Sequence, residues 1–178
     1  ISVTYQARDN YRSPYRIARY INRMFPEFEF EPRNGIIGLD VQEYSVANAR
    51  AQLHAVDRAV KGLLRQGLAP AEIVILTCGG VGESVFRGVE AVGGCPLRQF
   101  TGSYNRDGER MYSAGELRFT SVARFQGQQS PAVILVDMKL SDGDDLDQRR
   151  RTAFIGMTRA SLRLEVVWNC EPTSTAGR

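Results

Sequence analysis

Residues 77–84, TCGGVGES, place three glycines and two hydroxyls directly after the apolar run Ile73–Leu76. A glycine-rich loop between a strand and a helix can wrap phosphates with backbone N–H groups, and the P-loop pattern G-x-x-x-x-G-K-[ST] adds a lysine for the terminal phosphates. Here Glu83 stands where the lysine belongs, and the glycine spacing differs. A carboxylate at that position repels phosphate, so the loop is not expected to bind a nucleotide. The cations that could do phosphate chemistry lie elsewhere. Arg12, in NYRS (10–13), and Arg159, in TRAS (158–161), both fall at expected element ends, where a side chain can project into a cleft. A guanidinium there offers fixed positive charge and forked donors to a phosphoryl group whose oxygens gain charge during transfer. The run QGQQ (126–129) precedes another apolar stretch. Its glycine lets the backbone approach a ligand closely, and its amides can hydrogen-bond a hydroxyl. Taken singly, each feature is equally a surface arginine, a helix cap or a polar turn.

The other reactive side chains carry less. Asp142, Asp144, Asp145 and Asp147 lack the spacing of a calcium loop and fit the acid-rich start of a helix, so no metal site is expected. Arg149, Arg150 and Arg151 read as a solvated helix face pairing with those aspartates. His54 is the only histidine, and no nucleophile–base pair is suggested. Trp168 reads as core. The cysteines at 78, 95 and 170 are odd in number and widely spaced, which implies reduced thiols and a cytoplasmic setting rather than a disulfide framework. A formal charge of +3 permits nucleic-acid binding without arguing for it. No apolar run approaches the length of a membrane span.

The elements that must position these groups follow from periodicity. A short strand is expected at 3–7. A helix opens at Ser13-Pro14, repeats Ile17, Tyr20, Ile21 and Met24 on one face, and stops at Pro26. A strand lies within 35–45. A helix over 46–66 steps through Val46, Ala49, Leu53, Val56, Val60 and Leu63, and Gly67 ends it. Buried strands are expected at 71–77 and 132–138, a strand at 116–122, and a closing strand at 162–169. Helices are expected around 82–92 and from about 145 through RRRTAFIGMT. Residues 95–115 read as irregular, with a turn at Asp107-Gly108. Buried strands alternating with helices give an α/β fold: three layers, with a mostly parallel sheet flanked by helices. The expectation is one domain over 1–178 with a small insertion at 85–116, cut from a longer protein. In such sheets ligands gather outside the carboxyl ends of the strands.

Three stretches resemble a known family. NYRSPYRIARYIN (10–22) is similar to the motif that opens the second, C-terminal RecA-like domain of UvrD/Rep-type superfamily 1 DNA helicases. TSVARFQGQQSPAVILVDM (120–138) resembles that family's motif V, and AFIGMTRASLRLEVV (153–167) its motif VI, in the same order. The resemblance implies a P-loop NTPase-type domain lacking its own P-loop, within an ATP-dependent helicase or translocase. ATP with Mg2+ would be held mainly by an N-terminal RecA-like domain of the same protein. Arg12 and Arg159 would be catalytic, reaching the γ-phosphate, with Gln126, Gly127 and Gln129 also facing ATP. Ser121 and Arg124 match positions near single-stranded DNA. Two positions depart from the pattern: Ala123 replaces a histidine and Gln129 an acid that contacts the ribose, whereas Gln126 takes the place of a lysine, a substitution common in the family. With no phosphate cradle, the chain alone is expected to be inactive. Two rival readings stay open: a degenerate helicase-like module that binds nucleic acid or protein without catalysis, and an unrelated doubly wound enzyme with a small-molecule site near Gly79–Gly82.

Overall fold

A computed structural model describes residues 9–139 and 145–169; the strand expected at 3–7 lies outside them. The first described strand, β1 (Asp9–Asn10), pairs in parallel with β2 (Glu31–Pro32). Between them runs α1 (Tyr15–Met24), with Pro14 at its N-cap and Ile17, Ala18, Tyr20 and Ile21 buried. Pro26 begins a short 3₁₀ turn, Pro26–Phe28, because a proline ring cannot continue the α-helical hydrogen bonding. β3 (Gln42–Val46) leads into α2 (Ala49–Arg65). The Asn48 side chain accepts a 2.9 Å bond from the Ala51 N–H, which fixes the start of α2 and leaves Val46 in the preceding strand. The buried stripe of α2 is accordingly Gln52, Ala55, Val56, Ala59, Val60 and Leu63. It is rotated from the expected one, with Ala49 exposed.

The remaining elements are β4 (Ile73–Thr77), β5 (Ala91–Val92), β6 (Cys95–Arg98), β7 (Phe100–Tyr104), β8 (Arg110–Tyr112), β9 (Leu117–Ser121), β10 (Ser130–Met138), α3 (Leu146–Met157) and β11 (Ala160–Asn169). Seven strands form one sheet in the order β3-β11-β10-β4-β9-β6-β5. Every pairing is parallel except β5 with β6. Along β10 the side chains alternate between two cores. Val133 and Leu135 pack with α1 and α3, whereas Ala132, Ile134 and Val136 pack with α2. Coverage of both faces explains the unbroken apolar run. The fold is thus the expected α/β arrangement of a mostly parallel sheet between helical layers.

Two local expectations are corrected. Residues 82–92 form no helix: a chain of turns runs to Gly88, in which Ser84 N–H bonds Gly80 C=O and Arg87 N–H bonds Ser84 C=O, and Ala91–Val92 is β5. Gly88 sits at φ +78, a left-handed conformation that ends helical propagation. Phe86, fully buried, is pinned beside Phe119 at 5.7 Å. Residues 95–115 are ordered rather than irregular. β6 joins the main sheet beside β9, and β7 and β8 pair as a separate antiparallel hairpin. Its turn is closed where expected, by Asn105 N–H on Glu109 C=O, with Gly108 at φ +79. Among the described residues no helix is long and apolar enough to cross a membrane.

Candidate functional site

Asn10 builds the turn that carries Arg12. Its Oδ1 accepts from the N–H of Arg12 at 2.7 Å and of Ser13 at 2.9 Å. Asn34 Nδ2 donates to the Arg12 carbonyl at 3.0 Å, and Ser13 is fully buried. The Arg12 backbone is therefore fixed from three sides while its side chain stays exposed. A single Asx-type turn does this, the ordinary role of asparagine where a strand hands over to a helix.

Arg159 lies at the other side of this corner, immediately after α3. It is buried, at 9% exposure. Its Nε donates to the Ile155 carbonyl at 3.0 Å and its Nη2 to Thr158 Oγ1 at 3.1 Å. The guanidinium thus lies back on the negative end of its own helix, a favourable place for a cation. Burial pulls its pKa down, and the charge of Arg12 pulls it down further; an arginine remains protonated regardless. Among the described residues no carboxylate forms a salt bridge with either arginine. Arg12 also lines an open hollow of about 490 Å³ with Asn10, Tyr11, Phe28, Phe30 and Phe154.

Helix α3 is held in register by aromatic packing. Phe154 meets Phe28 at 5.0 Å, Phe30 at 6.0 Å and Phe25 at 6.3 Å. Arg150 adds a 2.7 Å bond to Glu27 and a 3.1 Å bond to the Met24 carbonyl. Its pairing is therefore with α1's end rather than with the aspartates, and it holds the Glu27 carboxyl below its ordinary pKa. Asp145 is the N-cap residue of α3 without a side-chain cap bond, and Asp147 lies in the first turn. Asp142 and Asp144 lie outside the described residues, and among the described residues no cluster of acids, histidines and cysteines is suited to a metal.

The QGQQ run reaches the same corner. Ser130 opens β10 opposite Ala160 of β11, and its N–H donates to the Arg159 carbonyl at 3.1 Å. Gln129 therefore adjoins Arg159. Gln126, Gly127 and Gln129 are all exposed, with Gly127 at φ +84. Arg159 and the glutamines precede strands, so this corner is at the amino edge of the sheet, not at the carboxyl edge where ligands were first expected.

Ser121 belongs to the opposite edge. It ends β9, opposite Thr77 at the end of β4. Arg124 follows in an exposed turn, with its guanidinium 5.8 Å from the Phe100 ring centroid. These two residues are not brought together with Arg12 and Arg159.

The carboxyl edge also holds a cluster that sequence reasoning missed. Asp137, in β10, accepts from Ser84 Oγ at 2.6 Å, Thr77 Oγ1 at 2.7 Å and Gln52 Nε2 at 2.5 Å. Its φ is +58, the one described non-glycine residue in the left-handed region. Both hydroxyls of the TCGGVGES loop thus bind a carboxylate of the protein itself. The loop borders a cavity of about 440 Å³ with Glu83, Asp137 and Lys139 in its wall. Burial, together with the charge of Asp137, pushes the Cys78 thiol up, away from reactivity. The available signal was an acid closing the apolar run AVILV.

Residues 116–167 match the UvrD-like helicase C-terminal domain family. That span contains Ser121, Arg124, Gln126, Gly127, Gln129 and Arg159, and leaves Arg12 outside. Among solved structures, the C-terminal domain of a possible DNA helicase from Lactobacillus plantarum WCFS1 aligns over 92% of this chain and 91% of its own, with a TM-score of 0.59 and 16% identity. An arterivirus nonstructural protein 10 (helicase) aligns over 94% of this chain and 26% of its own, at a TM-score of 0.35 and 14% identity. No curated protein matches the chain. The chain shares the fold of that C-terminal domain, and its residues 116–167 match the UvrD-like helicase C-terminal domain family, the family its motifs resemble.

Proposed function

We propose that this chain is the C-terminal motor domain of an ATP-dependent DNA helicase or translocase, supplying Arg12 and Arg159 to the γ-phosphate of ATP held by an N-terminal RecA-like domain of the same protein. The observation that supports the reading is that Arg12 lies near enough to Arg159 for its charge to pull the Arg159 pKa down, with no acid bridging them among the described residues. Placing like charges together, one of them buried, costs stability. A polyphosphate entering from a neighbouring domain offsets that cost and becomes the natural third party. ATP, bound with Mg2+ on the other domain, would supply the phosphoryl group to be cleaved. Arg12 approaches from a rigid turn and Arg159 from a helix end, so their donors meet the terminal oxygens without further ordering. Gln129 stands beside Arg159 and can hydrogen-bond a ribose hydroxyl without charge assistance. Ser121 and Arg124, on the far edge, suit the phosphates of single-stranded DNA.

The test uses the longer protein proposed to contain this chain. Arg159→Ala should lower ATP turnover by roughly 10³–10⁵, the range for an arginine that stabilises phosphoryl transfer. Arg159→Lys should fail to restore it, because a point charge lacks the fork. Arg12→Ala should also slow turnover while ATP binding survives on the other domain. Turnover within a few-fold of the parent in all three variants refutes the reading, as does ATP hydrolysis by the 178-residue chain alone. The departures at Ala123 and Gln129 favour a second reading, a module that binds nucleic acid without catalysis; DNA-stimulated turnover by the longer protein excludes it.

A further inference from the structure

The β7–β8 hairpin, outside the segment that matches the helicase family, gathers aromatic rings and arginines on a surface that no core demands. Phe100 and Tyr112 are cross-strand partners. Phe100 meets Tyr104 at 5.4 Å and Tyr112 at 6.2 Å, both edge-on. Tyr104 is 57% exposed and Tyr112 45%, so this is an outward-facing cluster. Isolated two-stranded hairpins are marginal in water, and exposing large rings on one needs a reason beyond folding.

The cations around the rings supply that reason. Arg110 and Arg124 lie over Phe100 at 5.6 and 5.8 Å, and Arg98 lies over Tyr112 at 5.6 Å. Arg106 sits at the hairpin tip. Asp107 and Glu109 share the hairpin tip, and Glu109 is engaged by the Asn105 side chain at 3.1 Å. Among the described residues no guanidinium covers Tyr104, the most exposed of the three rings. A ring with an open face beside arginines held in place by neighbouring rings is the composition of a base-stacking platform. Bases stack on the aromatics with little regard to sequence, and the guanidiniums meet the phosphates.

We infer that the hairpin is a second single-stranded nucleic-acid contact, with one base stacked on Tyr104, its neighbour packed against Tyr112, and the intervening phosphates met by Arg98, Arg106 and Arg110. Arg124 joins this platform to the Ser121 end of β9, so the strand proposed to pass Ser121 continues onto the hairpin. The inference rests on the nucleic-acid half of the proposed function and is independent of the ATP half.

The test is fluorescence anisotropy of a labelled oligothymidylate, and separately an oligouridylate, titrated with the 178-residue chain. Tyr104→Ala with Tyr112→Ala should weaken binding by about tenfold or more, given the usual worth of stacking per base. Tyr104→Phe with Tyr112→Phe should retain affinity, since stacking needs the ring and not the hydroxyl. Tyr112 is also the cross-strand partner of Phe100, so the single variant Tyr104→Ala, which leaves that pair in place, should by itself weaken binding several-fold with unchanged circular dichroism, and parental affinity there overturns the inference. Arg106→Gln with Arg110→Gln should weaken binding and flatten its salt dependence. If the double alanine variant binds normally while Ser121→Ala with Arg124→Ala does not, the hairpin inference falls and the proposed function stands. If the chain binds neither oligonucleotide, the inference falls with the nucleic-acid half of the proposed function, leaving the arginine kinetics to be judged separately. A chain whose hairpin captures a protein but no oligonucleotide also overturns it.

Discussion

Replacing Asp137 should unseat the glycine-rich loop, and the cost can be worked from its partners. The carboxylate accepts three hydrogen bonds, from Gln52, Thr77 and Ser84. Bonds to a charged acceptor contribute about 1.5–3 kcal/mol each, and a buried donor left unpaired costs about 1–3 kcal/mol. Ser84 has some recourse, since it lines the open cavity where water can accept its proton, whereas Thr77 is fully buried. Gln52 has none: it is fully buried, and its Oε1 lacks a partner. Asp137→Ala also forces a branched-free but Cβ-bearing residue to hold φ +58, which aspartate and asparagine tolerate better than alanine. The two bonds lost without recourse, from Gln52 and Thr77, sum to about 3–6 kcal/mol for Asp137→Ala, a fall of roughly 6–24 °C in melting temperature for a domain of this size. Asp137→Asn keeps the backbone preference and one acceptor oxygen, so about half that loss is expected. Thermal and urea unfolding of the three proteins measure it. A double-mutant cycle with Ser84→Ala should return a coupling of about 1 kcal/mol. If Asp137→Ala melts within about 2 °C of the parent, the carboxylate is not the loop's anchor and the reasoning fails.

Three further outcomes are expected. Gly115→Ala should destabilise by about 1–3 kcal/mol, because its Cβ would fall 2.4 Å from the Pro96 carbonyl oxygen, which belongs to rigid backbone; chemical denaturation reads it, and parental stability would mean β6 can shift. Phe154→Ala should cost about 2–3 kcal/mol, below the range for a fully buried phenylalanine, and in the longer protein it should slow ATP turnover by letting α3 and Arg159 shift; a stability loss with unchanged turnover would separate packing from function. Tyr44 donates to Glu165 at 2.7 Å, and burial together with that bond pushes its hydroxyl up to about 12. Its folded pKa exceeds the unfolded value near 10, so its contribution is complete below pH 10 and is lost as pH rises towards 12. Melting temperature should therefore fall more steeply over that window in the parent than in Tyr44→Phe, and equal slopes would show the bond to be inert.

The fold was legible where burial alone decides. Runs such as IVIL and AVILV must be central strands because nothing in them can face water, and α1 and α2 announce themselves by spacing and by Pro14 and Gly67, although the start of α2 at Asn48 went unread. Legibility failed where a tertiary partner overrides local preference. Residues 82–92 have helical content, yet Phe86 seated against Phe119 and the left-handed Gly88 break them into turns. The β7–β8 hairpin was hidden because its strands are held by cross-strand pairs rather than by an alternating core face. At the candidate site, Arg12 and Arg159 stood out through motif resemblance alone, because no periodicity marks either of them. Asp137 escaped notice because its role is written in three distant residues, Gln52, Thr77 and Ser84, that only the sheet brings together.

Strand β10 runs from Ser130 beside Arg159 to Met138 beyond the Asp137 cluster, a rod about 30 Å long at the usual rise per residue. It is gripped along most of its length by β4 on one side and β11 on the other, so it cannot bend independently of its neighbours. Such a rod behaves as a lever: a tilt of about 10° about one end carries the other through roughly 5 Å. A small pivot at the Arg159 end therefore needs no hinge within the domain to register as a displacement of several ångströms at the Asp137 end.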